Sequence, residues 1–234
     1  MKINILISFP LGAYFHQNIN NYTYKRLLNM IHKLSCINNS SKCKDCNLQS
    51  SCQYYMITGE NFNGYPGLIM KNDLFMRTIF RENDECLFEF YLIGKCECLE
   101  YYVTTFFEDY LNHYLCGFYF QIKEIKFQNI ENQIIESRML NITTTIEEDE
   151  FKNLYNCMFN YYNKKYECNF LLLQNEYNIS NKKSSKMDMM NCLTKKIYPK
   201  GIIGKVYVEE RINNIIFNIG IGKYNFLGGG KIEN

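Results

Sequence analysis

The chain has 234 residues, 47% hydrophobic and 16% aromatic, which suffices for one large folded domain or two small ones and excludes a disordered chain. A formal net charge of only +2 excludes a uniformly basic surface, so any contact with a polyanion has to be a local patch balanced by acidic regions elsewhere. Its 11 cysteines are odd in number, no secretory leader precedes them, and no apolar run reaches the roughly 18 residues of a membrane-spanning helix, so a reduced, cytoplasmic protein without a membrane segment is expected.

Lys2 to Phe9, rich in isoleucine, predicts a first strand. From Asn21 to Leu34 the residues Tyr24, Leu27, Leu28, Ile31 and Leu34 recur at helical spacing and make one core face, with Lys25, Asn29, His32 and Lys33 toward the other side. A cysteine-rich insertion at 36–58 follows. Leu68 to Ile79 and Cys86 to Ile93 predict a strand pair joined by the polar turn Arg81 to Asp84. Leu99 to Asn112 predicts a helix and Gly117 to Phe127 a strand, whose apolar phase slips between Ile122 and Ile125 and so predicts a bulge. The order β-α-β-β-α-β is that of a ferredoxin-like fold, closing near residue 128.

The remainder, 129–234, repeats the theme in reduced form. Ile134 to Thr143 predicts a strand, and Thr145-Ile-Glu-Glu148 predicts a capping box opening an acidic first turn. Phe151, Leu154, Tyr155, Met158, Phe159 and Tyr162 then form a helical stripe that reads as core. Asn181 to Lys186 is polar and basic without periodicity, a solvated loop or a flexible arm for polyanions. Strands near 189–199 and 204–210, a short helix over Ile212 to Ile219, a glycine loop and a final strand complete the unit. The class is α+β with antiparallel sheets.

The spacing Cys36-x6-Cys43-x2-Cys46-x5-Cys52 can close a tetrahedral thiolate shell. Structural zinc is the first reading, an iron–sulfur cluster the second, and reduced cysteines without metal the third. Four protein thiolates leave no open position for hydrolysis, so the metal would be structural. Cys96 and Cys98 point apart and read as buried small hydrophobes.

Near the end of the sequence Gly220-Ile-Gly222-Lys223-Tyr-Asn225-Phe-Leu-Gly228-Gly229-Gly230-Lys231 interleaves glycines with two lysines. Four residues follow Gly230, too few for the helix and βαβ unit that a dinucleotide fingerprint or a P-loop requires. What remains is a loop whose bare N–H groups approach a phosphate chain, with Lys223 and Lys231 supplying charge. A tight turn before an edge strand is the plainer alternative.

This pattern resembles the C-terminal signature of the RAMP (repeat-associated mysterious protein) RNA binders of CRISPR systems. The chain resembles their repeat-cleaving member, the sixth Cas family. Gly201-Ile-Ile-Gly204-Lys-Val-Tyr-Val is similar to that family's Gly-x-x-Gly turn and strand, and Pro10 to Cys52-Gln-Tyr54 is similar to a branch whose first helix leads into a cysteine cluster. The resemblance implies tandem ferredoxin-like domains, 1–128 and 129–234, and binding of CRISPR repeat RNA. It also implies cleavage of precursor crRNA by attack of a ribose 2′-hydroxyl on the adjacent phosphorus, leaving a 2′,3′-cyclic phosphate, with no metal in catalysis. That chemistry needs a general base, a general acid and a cation for the developing charge.

Family members draw these groups from the first helix or its flanks without a fixed motif. Here His16 or His32 is the expected proton-transfer group, Lys25 the electrostatic stabiliser, and Arg26, Asn225 and the glycine loop the RNA contacts. His113 reads as a helix-terminal cation. A RAMP-type RNA-binding subunit of a CRISPR effector complex that does not cut has the same loop, and a metal-sensing or redox protein built on the cysteines is a third reading.

Overall fold

A computed structural model describes the chain apart from residues 17, 38–42, 72–76, 137, 148, 149, 188, 189, 193, 194 and 234, and apart from the side chains of 44, 60, 61, 190–192, 195, 196 and 227. The chain divides into two compact units, Met1–Leu92 with Cys96–Asn129, and Ile93–Lys95 with Ile130–Asn234.

In the N-terminal unit β1 (Lys2–Phe9) buries Ile3, Ile5 and Ile7 on one face, each contributing roughly 1.5–3 kcal/mol. α1 (Ile19–Ser35) is capped by the Asn18 side chain, which accepts from the Asn20 N–H at 2.9 Å. Tyr24, Leu27, Leu28 and Ile31 are buried as their spacing predicts, whereas Leu34, in the last turn, is 62% exposed. β2 (Leu68–Met70) receives the Tyr24 hydroxyl on the Leu68 carbonyl at 2.7 Å, a buried bond that ties helix to sheet. β3 (Asp84–Leu92) and β4 (Gln121–Gln128) complete an antiparallel sheet of order β2-β3-β1-β4. That is the ferredoxin-like order. The register of β1 on β4 slips where Leu6 faces Glu124 and Ile7 faces Ile122, which is the bulge read from the apolar phase.

Two expectations for this unit change. The strand over Leu68 to Ile79 is described only as β2 and a two-residue pairing of Ile79–Phe80 with Ala13–Tyr14; 72–76 lie outside the described residues. The helix over Leu99 to Asn112 is α2 (Tyr101–Thr105) running into a π-helical turn, Phe106–Tyr110. Phe106 and Phe107 are adjacent and both fully buried, Phe107 against Phe88 at 5.3 Å, and the wider turn lets consecutive rings face the core.

The C-terminal unit repeats the topology. β5 (Arg138–Ile146), α3 (Phe151–Tyr166), β6 (Ser180–Lys186), β7 (Lys200–Val208), the single turn α4 (Ile216–Ile219) and β8 (Ile232–Glu233) form a sheet of order β6-β7-β5-β8, all antiparallel. The whole α3 stripe from Phe151 to Tyr162 is buried. Gly201 and Gly204 let β7 approach closely: a Cβ on Gly201 would stand 1.7 Å from the Ile146 carbonyl oxygen, and one on Gly204 2.6 Å from that of Ser180.

The capping box does not form. Thr145 is a fully buried strand residue whose hydroxyl shares a 2.8 Å hydrogen bond with Ser185, Glu148 lies outside the described residues, and α3 starts after Glu150 without a side-chain cap. Burial of Thr144, Thr145 and Ile146 on the sheet outweighs the local capping signal. Asn181 to Lys186 is neither loop nor arm but the edge strand β6. Residues 189–199 hold the small pairing of Met190–Cys192 with Lys195–Ile197, with 189, 193 and 194 outside the described residues. The helix over Ile212 to Ile219 is a strand pairing of Ile212–Asn213 with Ile134–Ile135 followed by α4. Among the described residues no helix is long and apolar enough to cross a membrane.

Candidate functional site

In the N-terminal unit the expected catalytic residues separate. His16 is exposed, just ahead of α1, with its ring edge-on to Tyr14 at 4.8 Å. Lys25 is half-buried on α1. Arg26 donates to the Tyr22 hydroxyl at 2.9 Å, and its guanidinium lies 5.7 Å over the rings of both Tyr22 and Tyr110, so it is held as a preorganised cation.

His32 lies elsewhere. It is near the far end of α1, about 20 Å along the axis from the helix start, and its ring packs against Tyr54 at 4.7 Å. There it lines a cavity of about 20 Å³ together with Cys36, Cys43, Cys46 and Cys52. The four cysteines are reduced and half-buried, and Gln49 ties the turn by donating to the Cys43 carbonyl at 2.7 Å. The cavity is of a size for one water or one ion. Among the described residues, however, no group of three or more His, Cys, Asp or Glu side chains is arranged to hold a metal ion, so the zinc expected from the spacing has no formed shell here.

The glycine loop belongs to the C-terminal unit, and its geometry departs from the expectation of bare main chain facing outward. Gly220, Gly222, Gly229 and Gly230 are buried. The N–H of Ile221 donates to Gly230, that of Gly229 to Tyr224, that of Gly230 to Thr145 and that of Gly228 to Asn225, so the loop closes on itself and on the end of β5. Lys231 N–H donates to the Thr144 hydroxyl at 2.8 Å, which donates in turn to the Gly228 carbonyl. A Cβ on Gly220 would meet the Gly229 carbonyl oxygen at 2.8 Å, one on Gly222 the Glu147 carboxylate at 2.7 Å, and one on Gly230 the Ile221 carbonyl oxygen at 1.7 Å. Side chains are missing here because the loop packs against protein. Asn225, 3% exposed, donates to the buried Tyr162 hydroxyl at 3.1 Å and anchors the loop to α3.

Under the loop, Glu147 accepts from the Lys223 N–H. Burial and the Glu147 charge push the Tyr224 hydroxyl up from its ordinary value. What the loop offers outward is charge: Lys223 is exposed, and Lys231 is half-exposed beside Glu233 at 3.0 Å.

Sequence reasoning missed a cleft in the N-terminal unit lined by Tyr14, Ile79, Arg81, Tyr114, Phe118 and Tyr119. These residues come from three separated segments, and only the Cys116-Gly117 turn between Tyr114–Leu115 and Phe118–Tyr119 left a local signal. Both turn residues have positive φ, 52° and 86°, as a type I′ hairpin requires. His113 is not a helix-terminal cation: with φ of 60° it follows the turn after the π-helical segment and faces Tyr119 at 6.4 Å.

With both units described, the comparison with solved structures is decisive for architecture. A structure described as a RAMP protein binding different RNA substrates superposes with a TM-score of 0.55 at 11% identity, covering 100% of this chain and 98% of the other. The fold is that of the RAMP proteins. A Cas6-related protein from Pyrococcus furiosus matches with a TM-score of 0.52 at 14% identity, over 100% of this chain and 97% of its own. A Cas6 product complex matches at 0.53 and 6% identity, over 99% and 98%. No family model and no curated protein matches the sequence.

Proposed function

We propose that the protein binds CRISPR repeat RNA and cleaves precursor crRNA as a metal-independent endoribonuclease. The observation that carries this reading is the end-to-end match of both ferredoxin-like units to structures described as Cas6 and as an RNA-binding RAMP protein. His16 supports it further, because an imidazole exposed at the entry to α1 is open to an incoming 2′-hydroxyl. In this reading His16 transfers the proton, Lys25 stabilises the charge developing on phosphorus, and Arg26, Lys223 and Lys231 hold phosphates. His32 leaves the catalytic set, since it faces the cysteine cavity. Cys36, Cys43, Cys46 and Cys52, which line one cavity, would hold a structural zinc that would brace the loop and take no part in cleavage.

The reaction forms a bond from the 2′-oxygen to phosphorus and breaks the bond from phosphorus to the 5′-oxygen of the next nucleotide, which leaves with a proton. The test is incubation with repeat RNA in chelator, beside a copy carrying one 2′-deoxy nucleotide at the cut site. Cleavage of the first and not of the second is expected. Tight binding without product refutes the nuclease and favours a non-cleaving RAMP subunit of an effector complex, a reading that gains weight from having only one of the two candidate histidines near the start of α1.

A further inference from the structure

The cleft in the N-terminal unit has a volume of about 830 Å³. Its floor is rigid. Phe15 packs edge-on against Phe118 at 5.3 Å and against Phe80 at 5.8 Å, and Phe80 lies 4.9 Å from Phe9 at the end of β1. Above that floor the side chains are left open: Tyr14 is 49%, Ile79 60% and Tyr114 52% exposed. Tyr114 meets Tyr119 across the hairpin at 5.8 Å, so the two rings stand as one wall. Asn112, His113 and Cys116, with φ of 47°, 60° and 52°, hold that wall in left-handed backbone, a conformation that costs of order 1–3 kcal/mol per residue and persists where the surroundings enforce it. At Gly117 nothing lies within 4 Å of where a Cβ would stand, so the mouth beside the turn is clear.

The rim is chemically mixed. Arg81 is exposed, and among the described residues its guanidinium has no partner, while Glu82 lines the same cleft. His16 flanks it through Tyr14, and His113 through Tyr119. Exposed tyrosines, an exposed arginine and a concave shape of small-ligand size suit flat, hydrogen-bonding rings on an anionic chain. A folded protein partner would want a broader apolar surface.

Resting on the RNA-binding reading above, we infer that this cleft is a stacking subsite for unpaired RNA bases, which enter between Tyr14 and the Tyr114–Tyr119 wall while Arg81 takes a flanking phosphate or stacks on a base edge. It delivers the strand beside His16. Selectivity for single-stranded over paired RNA is a consequence, because paired bases present no free face.

The experiment is photocrosslinking of repeat RNA carrying 4-thiouridine, with peptide mapping, together with binding measurements on Tyr14→Ala, Tyr114→Ala and their phenylalanine counterparts. Crosslinks are expected in the peptides holding Tyr14 or Tyr114 and Tyr119. Each alanine variant is expected to bind roughly 5- to 100-fold more weakly, with the phenylalanine variants within about two-fold of wild type. Wild-type mapping keeps the test valid should an alanine variant fail to fold. RNA binding with crosslinks elsewhere and unchanged alanine variants overturns the subsite alone and leaves the cleft to a peptide ligand. A wild-type protein that retains no RNA overturns the functional reading and the subsite together.

Discussion

Replacing Gly230 by alanine separates internal packing from ligand contact. At φ of 61° an alanine pays the left-handed penalty of about 1 kcal/mol. Its Cβ would stand 1.7 Å from the Ile221 carbonyl oxygen, far inside any contact distance, so the two loop strands must part. Parting them loses the 2.9 Å bond from Ile221 N–H to the Gly230 carbonyl and the 3.1 Å bond from Gly230 N–H to Thr145, about 1 kcal/mol each. The sum is about 3 kcal/mol, and at no less than about 4 °C per kcal/mol for a domain of this size the C-terminal unit should melt at least about 12 °C lower. Gly117→Ala is the comparison: its φ is 86° but its Cβ meets nothing, so about 1 kcal/mol is expected. Calorimetry and amide exchange of β5 and β8 measure the effect. A Gly230→Ala protein that melts normally yet loses RNA would refute the packing argument and restore the loop as a main-chain ligand site.

Burial alone would raise the Glu89 carboxyl, but ion pairs with Lys2 and with Lys71, the latter at 3.1 Å, outweigh it and hold the group below its ordinary value. The unfolded chain therefore takes up this proton first. The two pairs stabilise the fold above about pH 4.5, and their contribution is lost as pH falls through the lower folded value; Glu89→Gln should cost about 1–2 kcal/mol at neutral pH and flatten that part of an acid melt. Asn213, fully buried, donates its N–H to Tyr155 at 2.8 Å and its amide to the Leu171 carbonyl at 2.7 Å, and accepts from Asn132 and Leu171. Asn213→Ala should cost about 3 kcal/mol in chemical denaturation, and Tyr155→Phe combined with it should be less than additive. Elemental analysis should find about one zinc per chain, absent after Cys46→Ser, with a melting temperature lowered by chelator; a metal-free protein indifferent to chelator would remove the zinc assignment.

What was legible in the sequence is what short-range periodicity encodes. The isoleucines of β1, the apolar stripe of α3, that of α1 as far as Ile31, and the slip between Ile122 and Ile125 are all local patterns, and the structure reproduces them. The failures arise where a distant partner decides. Thr145 reads as a cap until Ser185 and the sheet claim it, and the lysines and serines of β6 read as loop until β7 supplies the ladder. The glycines were found but their reason was not, because only the folded chain brings Ile221 against Gly230. The aromatic cleft left little trace, since Tyr14, Ile79 and Tyr114 are neighbours only in space.

Strand β6 carries a consequence for the behaviour of the protein in a crowded solution. It forms one border of its sheet with the sequence Ser-Asn-Lys-Lys-Ser-Ser-Lys, nearly all of it solvent-facing. A border of unpaired main chain is a template for adding another chain, yet lysines along it repel a second copy and offer no greasy face to cement the union. The residues that looked like a linker thus guard the sheet against growing outward.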